Sequence, residues 1–400
     1  MTKLKSSPPK TKAANAPSWW DYFIFRRSKR QIRELDGLRG FAIILVVFRH
    51  GVLPYWGEGQ PLLPVFGWDA ATFMANGWVG VDLFFVLSGF LISFHIMKLG
   101  ERISGPWPWR SYLAKRVLRI VPAYYATLFL VVLGAFPLYQ FSQEFIGLRI
   151  GYHLLFLQDY LPANFIVTFW SLAVEEKFYI IAPFIVLGIS KVPKLSWRVT
   201  SMLIILLCCV GLRIWTAVRH PEINNYQQFF FVFRSPFHMT LDPILLGVLL
   251  AFLYQARDKV NWLQSKSMAH LVFWAGAGTF LVVSTNSGML DVITWWDKTL
   301  QPLVIGLCFF GMTYGLLFGG GAKAVFRSAT LFFFARISYS LYLVHLALSP
   351  LAMALAGMFT TSTPSLIVFF PVFLGVSVAA SLLLHYGVEK PFLILKARIP

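Results

Sequence analysis

Charge is scarce in this 400-residue chain, and negative charge is scarcest. Only 13% of residues are charged, and 17 Asp and Glu stand against 35 Lys and Arg. A soluble domain carries about 25% charged residues, so an ordinary soluble enzyme is excluded. Cysteine is nearly absent. Cys208, Cys209 and Cys308 all lie inside apolar runs, which leaves no disulfide framework and no zinc spacing. The sequence has no G-x-S-x-G elbow, no Walker A loop and no H-E-x-x-H pair. Glu175 and Glu176 are adjacent, so on a helix they point about 100° apart. No His follows at i+3 or i+4, and no metal is expected. Residues 1–33 are rich in Lys and Arg but lead into no apolar stretch with a signal-peptidase site. They are expected to form a basic tail near anionic lipid headgroups.

What the chain does have is apolar length. Hydrophobic residues make up 57% of it and aromatic residues 17%. A helix needs about 20 mostly apolar residues to cross a bilayer. Candidate spans run roughly over 40–57, 77–97, 117–138, 170–189, 199–218, 237–255, 269–285, 301–319, 337–357 and 365–386. The segment 152–163 is apolar but short, and is expected to be re-entrant or interfacial. The fold class expected is therefore all-α, a polytopic bundle of about ten transmembrane helices. With the amino terminus in the cytosol, the tail, alternate loops and the carboxyl-terminal end hold 28 of the 35 Lys and Arg residues. The opposite loops hold only Arg149, Arg219, Arg234 and Lys298. Such an asymmetry fixes orientation in the bilayer. It also accounts for the net charge of +18 without nucleic acid.

Ionisable residues inside spans are costly and usually functional. Here they are Arg49, His50, Asp82, Glu175, Glu176, Lys177, Arg213, Asp242 and His345. Some can simply pair with one another. His50 with a carboxylate, Glu175 or Asp82, would make a general base and its orienting partner. Arg39 and His50 are eleven residues apart, so they share one helical stripe about 16 Å long. A long ligand could touch Arg39 with its phosphate end and His50 with its reactive end. Arg39 would equally serve as a membrane-edge marker. Arg116 and Arg119 are three apart, on one face, and suit a phosphate. The same pair would also serve as a positive-inside anchor. Ser338, Tyr342 and His345 form a polar stripe, as do Ser171 and Glu175; both could be inter-helix glue. Gly77, Gly80, Ser88 and Gly89 would allow close helix approach.

These residues fall in segments that resemble the acyltransferase-3 family of membrane acyltransferases, from about Arg33 to Phe392. RELDGLRGFAIILVVFRHG is similar to that family's opening motif, with Arg39 and His50 on its arginine and histidine. GVDLFFVLSGFLIS at 80–93, KRVLRIVPAYY at 115–125 and WSLAVEEKFYIIAP at 170–183 resemble its next motifs. LDPILLG, ISYSLYLVH and VEKPF resemble later ones. Lys177 departs from the commoner glutamine.

The resemblance implies ten core helices and an acyl-CoA co-substrate, acetyl-CoA first, with no tightly bound cofactor. It implies transfer of the acyl group to a hydroxyl of an envelope or exported glycan or glycolipid. His50 would be catalytic, with Glu175 or Asp82 beside it, and Arg39, Arg116 and Arg119 would hold the donor. Additional candidates are Asp36, Ser88, Ser171, Tyr342 and His345. The expected organisation is a basic cytoplasmic tail over 1–33, a membrane acyltransferase domain over 34–392 and a short cytoplasmic tail over 393–400. The expected location is a bacterial inner membrane, with both termini cytoplasmic. A proton-coupled transporter or exporter of acylated molecules is the alternative, using the same ionisable groups as a relay.

Overall fold

The structure is a computed structural model that describes residues 22–25, 32–56, 61–102, 105–163, 165–286 and 293–399. Most of the basic segment expected over 1–33 lies outside the described residues. Residues 32–400 form one compact unit. Of the described residues 77% are helical. Among them one strand pair, Pro64–Val65 with Trp68–Asp69, is closed by Phe66 (φ 49°) and Gly67 (φ 79°). Two successive positive φ values are what a tight type I′ hairpin requires.

The principal helices are α1 (Arg33–Val52), α2 (Gly80–Gly100), α3 (Trp109–Val132), α4 (Ile146–Leu154) and α5 (Trp170–Ser190). There follow α6 (Leu195–Arg219), α7 (Asp242–Ala256), α8 (Lys266–Asn286) and α9 (Gln301–Leu317). The last are α10 (Ala329–Val344), α11 (Ser349–Gly357), α12 (Leu366–Leu384) and α13 (Lys390–Ala397). A helix covers most of each expected span. Among the described residues five helices are long and apolar enough to cross a membrane, and a sixth if α10 and α11 make one bent span. α3 and α5 are interrupted by Arg116 and Arg119, and by Glu175, Glu176 and Lys177. α1 and α2, which carry Arg39, His50, Asp82 and Ser88, are among the five.

Three boundaries differ from expectation. α1 starts at Arg33, which makes Asp36 and Arg39 helical. α3 starts at Trp109, so Arg116 and Arg119 lie two to three turns inside it rather than at its mouth. The expected single span over 337–357 is broken: α10 and α11 meet at 62°, with His345 at the joint.

Burial sorts the helices into layers. The most apolar stretches of α1 and α2 are 61% and 72% buried, against 22% for α8 and 28% for the α12 segment. α8 and α12 instead turn Leu271, Trp274, Leu281, Ile367 and Leu383 outward. Apolar side chains at the rim cost nothing in lipid, where there is no water to exclude.

Packing between core helices runs through small residues. A Cβ on Gly89 would lie 2.1 Å from the Ile244 carbonyl oxygen, and one on Gly247 2.2 Å from that of Val86. α2 and α7 therefore touch backbone to backbone, as the glycines of the second span led one to expect. Gly40 brings α1 to the Leu331 carbonyl of α10 in the same way, with 2.0 Å for a Cβ. Polar links hold the ends. Glu34 accepts from Arg327 Nε at 2.9 Å. Glu389 accepts from Ser340 at 2.7 Å and bonds His385 Nδ1 at 2.8 Å, tying α10 to the π-turn after α12.

Arg213 and Asp242 are fully buried and form a two-armed ion pair. Arg213 also donates to the Thr299 and Met239 carbonyls at 2.9 and 3.1 Å. Removing one partner of a buried pair strands the other charge, at a cost of about 3–5 kcal/mol. Asp242→Ala is expected to lower thermal stability in detergent by that order. The double change Arg213→Met with Asp242→Leu should recover most of it. Equal losses in the two variants, read by thiol-independent scanning fluorimetry, would contradict this role.

Candidate functional site

The centre of the site is a pair of histidines. His50 lies in the last turn of α1, with Nδ1 2.9 Å from its own helix's Val46 carbonyl and 3.1 Å from His345 Nε2. His345, at the α10–α11 joint, places its Nδ1 2.9 Å from the Leu341 carbonyl. The rings stand 4.9 Å apart at 62°. A carbonyl oxygen only accepts, so His345 carries its proton on Nδ1 and presents a lone pair at Nε2. His50 Nδ1 faces two acceptors, the Val46 oxygen and that lone pair, so it too is protonated. Among the described residues the His50 Nε2 lone pair has no partner, which leaves it available as a base.

His50 lines a cavity of about 320 Å³ together with Trp78, Trp170, Tyr226, Gln227 and Arg234. A second cavity of about 80 Å³ holds Arg39, Arg119, Ser88, Ser171, Glu175 and Tyr179. Val81 and Tyr342 line both. The Tyr342 hydroxyl donates to the Thr168 carbonyl at 2.7 Å and lies 2.6 Å from Ser171 Oγ. Thr168 belongs to the histidine chamber and Ser171 to the arginine chamber. Tyr342 is thus the partition between a chamber with His50, Arg49 and Arg234 and a chamber with Arg39, Arg119 and Glu175.

The carboxylates sit elsewhere than beside His50. Asp82 is held by both arms of Arg234, at 2.8 and 2.9 Å. Glu175 accepts from the Tyr179 hydroxyl at 3.0 Å within the arginine chamber. The imidazole that meets His50 comes from the end of α10, where His345 is still helical (φ −56°, ψ −42°) on a helix packed against α1. The polar stripe on α10 also divides: Ser338 and Tyr342 face the arginine chamber, while His345 reaches His50.

The two α3 arginines part company as well. Arg119 joins Arg39 on the arginine chamber. Arg116 instead lies over the rings of Tyr112 and Tyr179, at 5.6 and 5.9 Å, with a buried Nε that makes no hydrogen bond. Asp36 lies in the first turn of α1, and Ser88 is 3.5 Å from the Tyr179 hydroxyl. Among the described residues no group of three His, Cys, Asp or Glu is placed to hold a metal.

Arg234 was read from the sequence as a loop charge. It is buried, bonded to Asp82 and sandwiched between Trp78 and Trp170 at 4.5 and 5.1 Å. Its neighbours Tyr226 and Gln227, on a short helix in the same loop, complete the chamber wall. Only the density of aromatic residues around 226–233 hinted that this loop folds inward.

Comparison with known proteins adds the family. The acyltransferase-3 family model, described as an acyltransferase domain, matches residues 32–386. A Staphylococcus aureus (strain COL) protein provisionally named as an O-acetyltransferase is 26% identical, over 81% of this chain and 52% of its own length. A Bacillus subtilis (strain 168) protein provisionally named as a peptidoglycan O-acetyltransferase is 30% identical over 45% of this chain and 27% of its own. An Acidianus two-tailed virus protein provisionally named as an acetyltransferase is 26% identical over 78% of this chain and 82% of its own. The chain spans about half the length of the staphylococcal relatives it matches. No solved structure matches it.

The histidine geometry makes a direct prediction. Nitrogen NMR of histidine-labelled protein in nanodiscs should find His50 and His345 both neutral with the proton on Nδ1. In His345→Ala, His50 should keep that tautomer, because the Val46 carbonyl remains. A proton on His50 Nε2 would show that this nitrogen is not the base.

Proposed function

Because this chain belongs to the acyltransferase-3 family, we propose that it moves an acyl group, acetyl first, from acyl-CoA to a hydroxyl of an envelope or exported glycan or glycolipid. The observation that carries this reading is the uncommitted His50 Nε2 in one chamber, separated by Tyr342 from a second chamber lined with arginines. A hydroxyl acceptor needs a base; an anionic donor needs cations; the two ligands must meet at one wall.

The acceptor hydroxyl gives its proton to His50 Nε2 as its oxygen attacks the thioester carbonyl. The tetrahedral intermediate collapses, the carbon–sulfur bond breaks, and the imidazolium returns the proton to the departing thiolate. Donor and acceptor supply every atom. His345 accepts from His50 Nδ1–H throughout, so it orients the base and stabilises the imidazolium. Arg39 and Arg119 hold donor phosphate at the arginine chamber, with Arg116 next to it. Along α1, Arg39 and His50 are about 16 Å apart, a separation that suits a ligand with its phosphates at one end and its thioester at the other. Glu175, through Tyr179, and Ser88 and Ser171 shape the passage between them. Asp82 keeps Arg234 in the acceptor chamber wall.

Orientation follows from the charge asymmetry. The reading places about ten crossings in a bacterial inner membrane, both termini and the arginine chamber on the cytosolic side. The basic residues of 1–33 and 393–400 then face the cytosol, with the acyltransferase domain over 34–392 between them.

Labelled acetyl-CoA and an isolated envelope glycan, with purified protein in nanodiscs, test the chemistry. His50→Ala should fold and lose about 10²–10⁴-fold in transfer. His345→Ala should lose less, in kcat more than in KM. Full activity in His50→Ala would end the proposed mechanism. Orientation is checked separately in a cysteine-free background. Single cysteines at Glu144 and Glu222 should react with an impermeant thiol reagent added outside cells, and those at Lys194 and Lys323 should not. The reverse pattern would invert the donor side.

A further inference from the structure

We infer that an open groove beside the histidine chamber, built by His220, Glu222, Gln227 and Gln228, is a second acceptor subsite, which binds the sugars flanking the one that is acylated. This rests on the acceptor being a glycan. It makes that acceptor a chain rather than a single sugar, and it gives the loop over 220–234 a part in choosing it.

The groove has a volume of about 550 Å³ and is lined by these four residues and by apolar ones, Phe231 among them. Gln227 and Phe231 also line the chamber that holds His50, so groove and chamber meet at these two side chains. They are four positions apart, where the short helix Tyr226–Phe229 runs into the π-turn Phe230–Arg234. His220, Glu222, Gln227 and Gln228 are exposed, whereas Trp170 and Arg234 of the chamber are buried. The space therefore runs from a buried base outward to an exposed polar mouth. The loop that forms this mouth is anchored from below. Ile223, Phe229 and Phe233 pack with Ala217 and Ile293, and the Phe229 and Phe233 rings stack at 6.0 Å. Lys298 Nζ donates to the Ile223 carbonyl at 3.1 Å, and the Ile293 N–H to that of Asn224 at 3.0 Å.

The polar groups are set as well. Asn225 caps the short helix by accepting from the Gln228 N–H at 2.9 Å, and its side-chain amide donates to Gln228 Oε1 at 2.7 Å. That bond orients the Gln228 amide and leaves its NH₂ group to donate elsewhere. His220 Nδ1 lies 3.1 Å from Glu222 Oε1. Among the described residues that line the groove there is no lysine or arginine. This separates it from the arginine chamber and disfavours phosphate, which those two side chains bind best. Amides, an imidazole and a carboxylate beside an aromatic ring suit hydroxyls, since each hydroxyl both donates and accepts. A sugar chain whose reacting hydroxyl reaches His50 must leave the chamber, and this groove is an exposed space that shares the chamber's wall.

The test uses the protein in nanodiscs with labelled acetyl-CoA and an envelope glycan that has been de-O-acetylated and cut into monosaccharide and oligosaccharide fractions. The unaltered protein should show a KM for the oligosaccharides about tenfold below that for the monosaccharides. Glu222→Ala should raise the oligosaccharide KM by about three- to tenfold. It should leave kcat with either fraction, and the monosaccharide KM, within about twofold of wild type. Glu222→Gln should restore most of the oligosaccharide KM, because an amide still bonds a hydroxyl. Gln228→Trp, which puts bulk into the groove, should impair the oligosaccharides and spare the monosaccharides. Equal KM values for the two fractions in the unaltered protein, equal losses with both fractions in Glu222→Ala, or unchanged use of oligosaccharides in both Glu222→Ala and Gln228→Trp would overturn the assignment. If the unaltered protein acylates neither fraction, the glycan reading itself fails, which is a separate outcome read before any variant.

Discussion

A guanidinium taken out of water needs strong acceptors, and the two most deeply buried arginines here each take both oxygens of an aspartate. Arg213 finds Asp242 and Arg234 finds Asp82, each through two hydrogen bonds. Those pairs fix α6 to α7, and the loop before α7 to α2. Acidic residues are too few to serve every cation: 17 against 35. Arg39 and Arg119 line one chamber together, with Arg116 over the Tyr179 ring beside it.

Close backbone contact makes the rest possible. Because Gly89 and Gly247 let α2 and α7 meet without side chains between them, and Gly40 does the same for α1 and α10, the core helices are held in near-fixed register. That rigidity brings His50 and His345 to 3.1 Å from helices 295 residues apart in sequence. His345 is the last residue in the register of α10, its N–H bonding the Leu341 carbonyl, and from there its ring reaches His50.

The partition has a consequence for chemistry. Both Tyr342 and Val81 line the two cavities, so the proposed donor and acceptor would share one wall. The Tyr342 hydroxyl is anchored to the Thr168 carbonyl and to Ser171, which keeps that wall in place.

Much of this was legible in the sequence. Apolar runs of about 20 residues give helices because a bilayer leaves the backbone no other way to satisfy itself. His50 and Glu175 stand out as ionisable groups inside apolar spans, and Arg39, Arg116 and Arg119 as cations spaced along helices at span edges. The sequence could not say who pairs with whom. Glu175 and Asp82 are the carboxylates it offers His50, but Asp82 is claimed by Arg234, a residue that reads as a loop charge. Arg116 and Arg119 share a helix face by periodicity, yet Tyr112 and Tyr179 draw one of them aside. Helix periodicity is a local property, written within a few residues. Partnership is decided where glycines let backbones touch, and those contacts join residues that lie hundreds of positions apart.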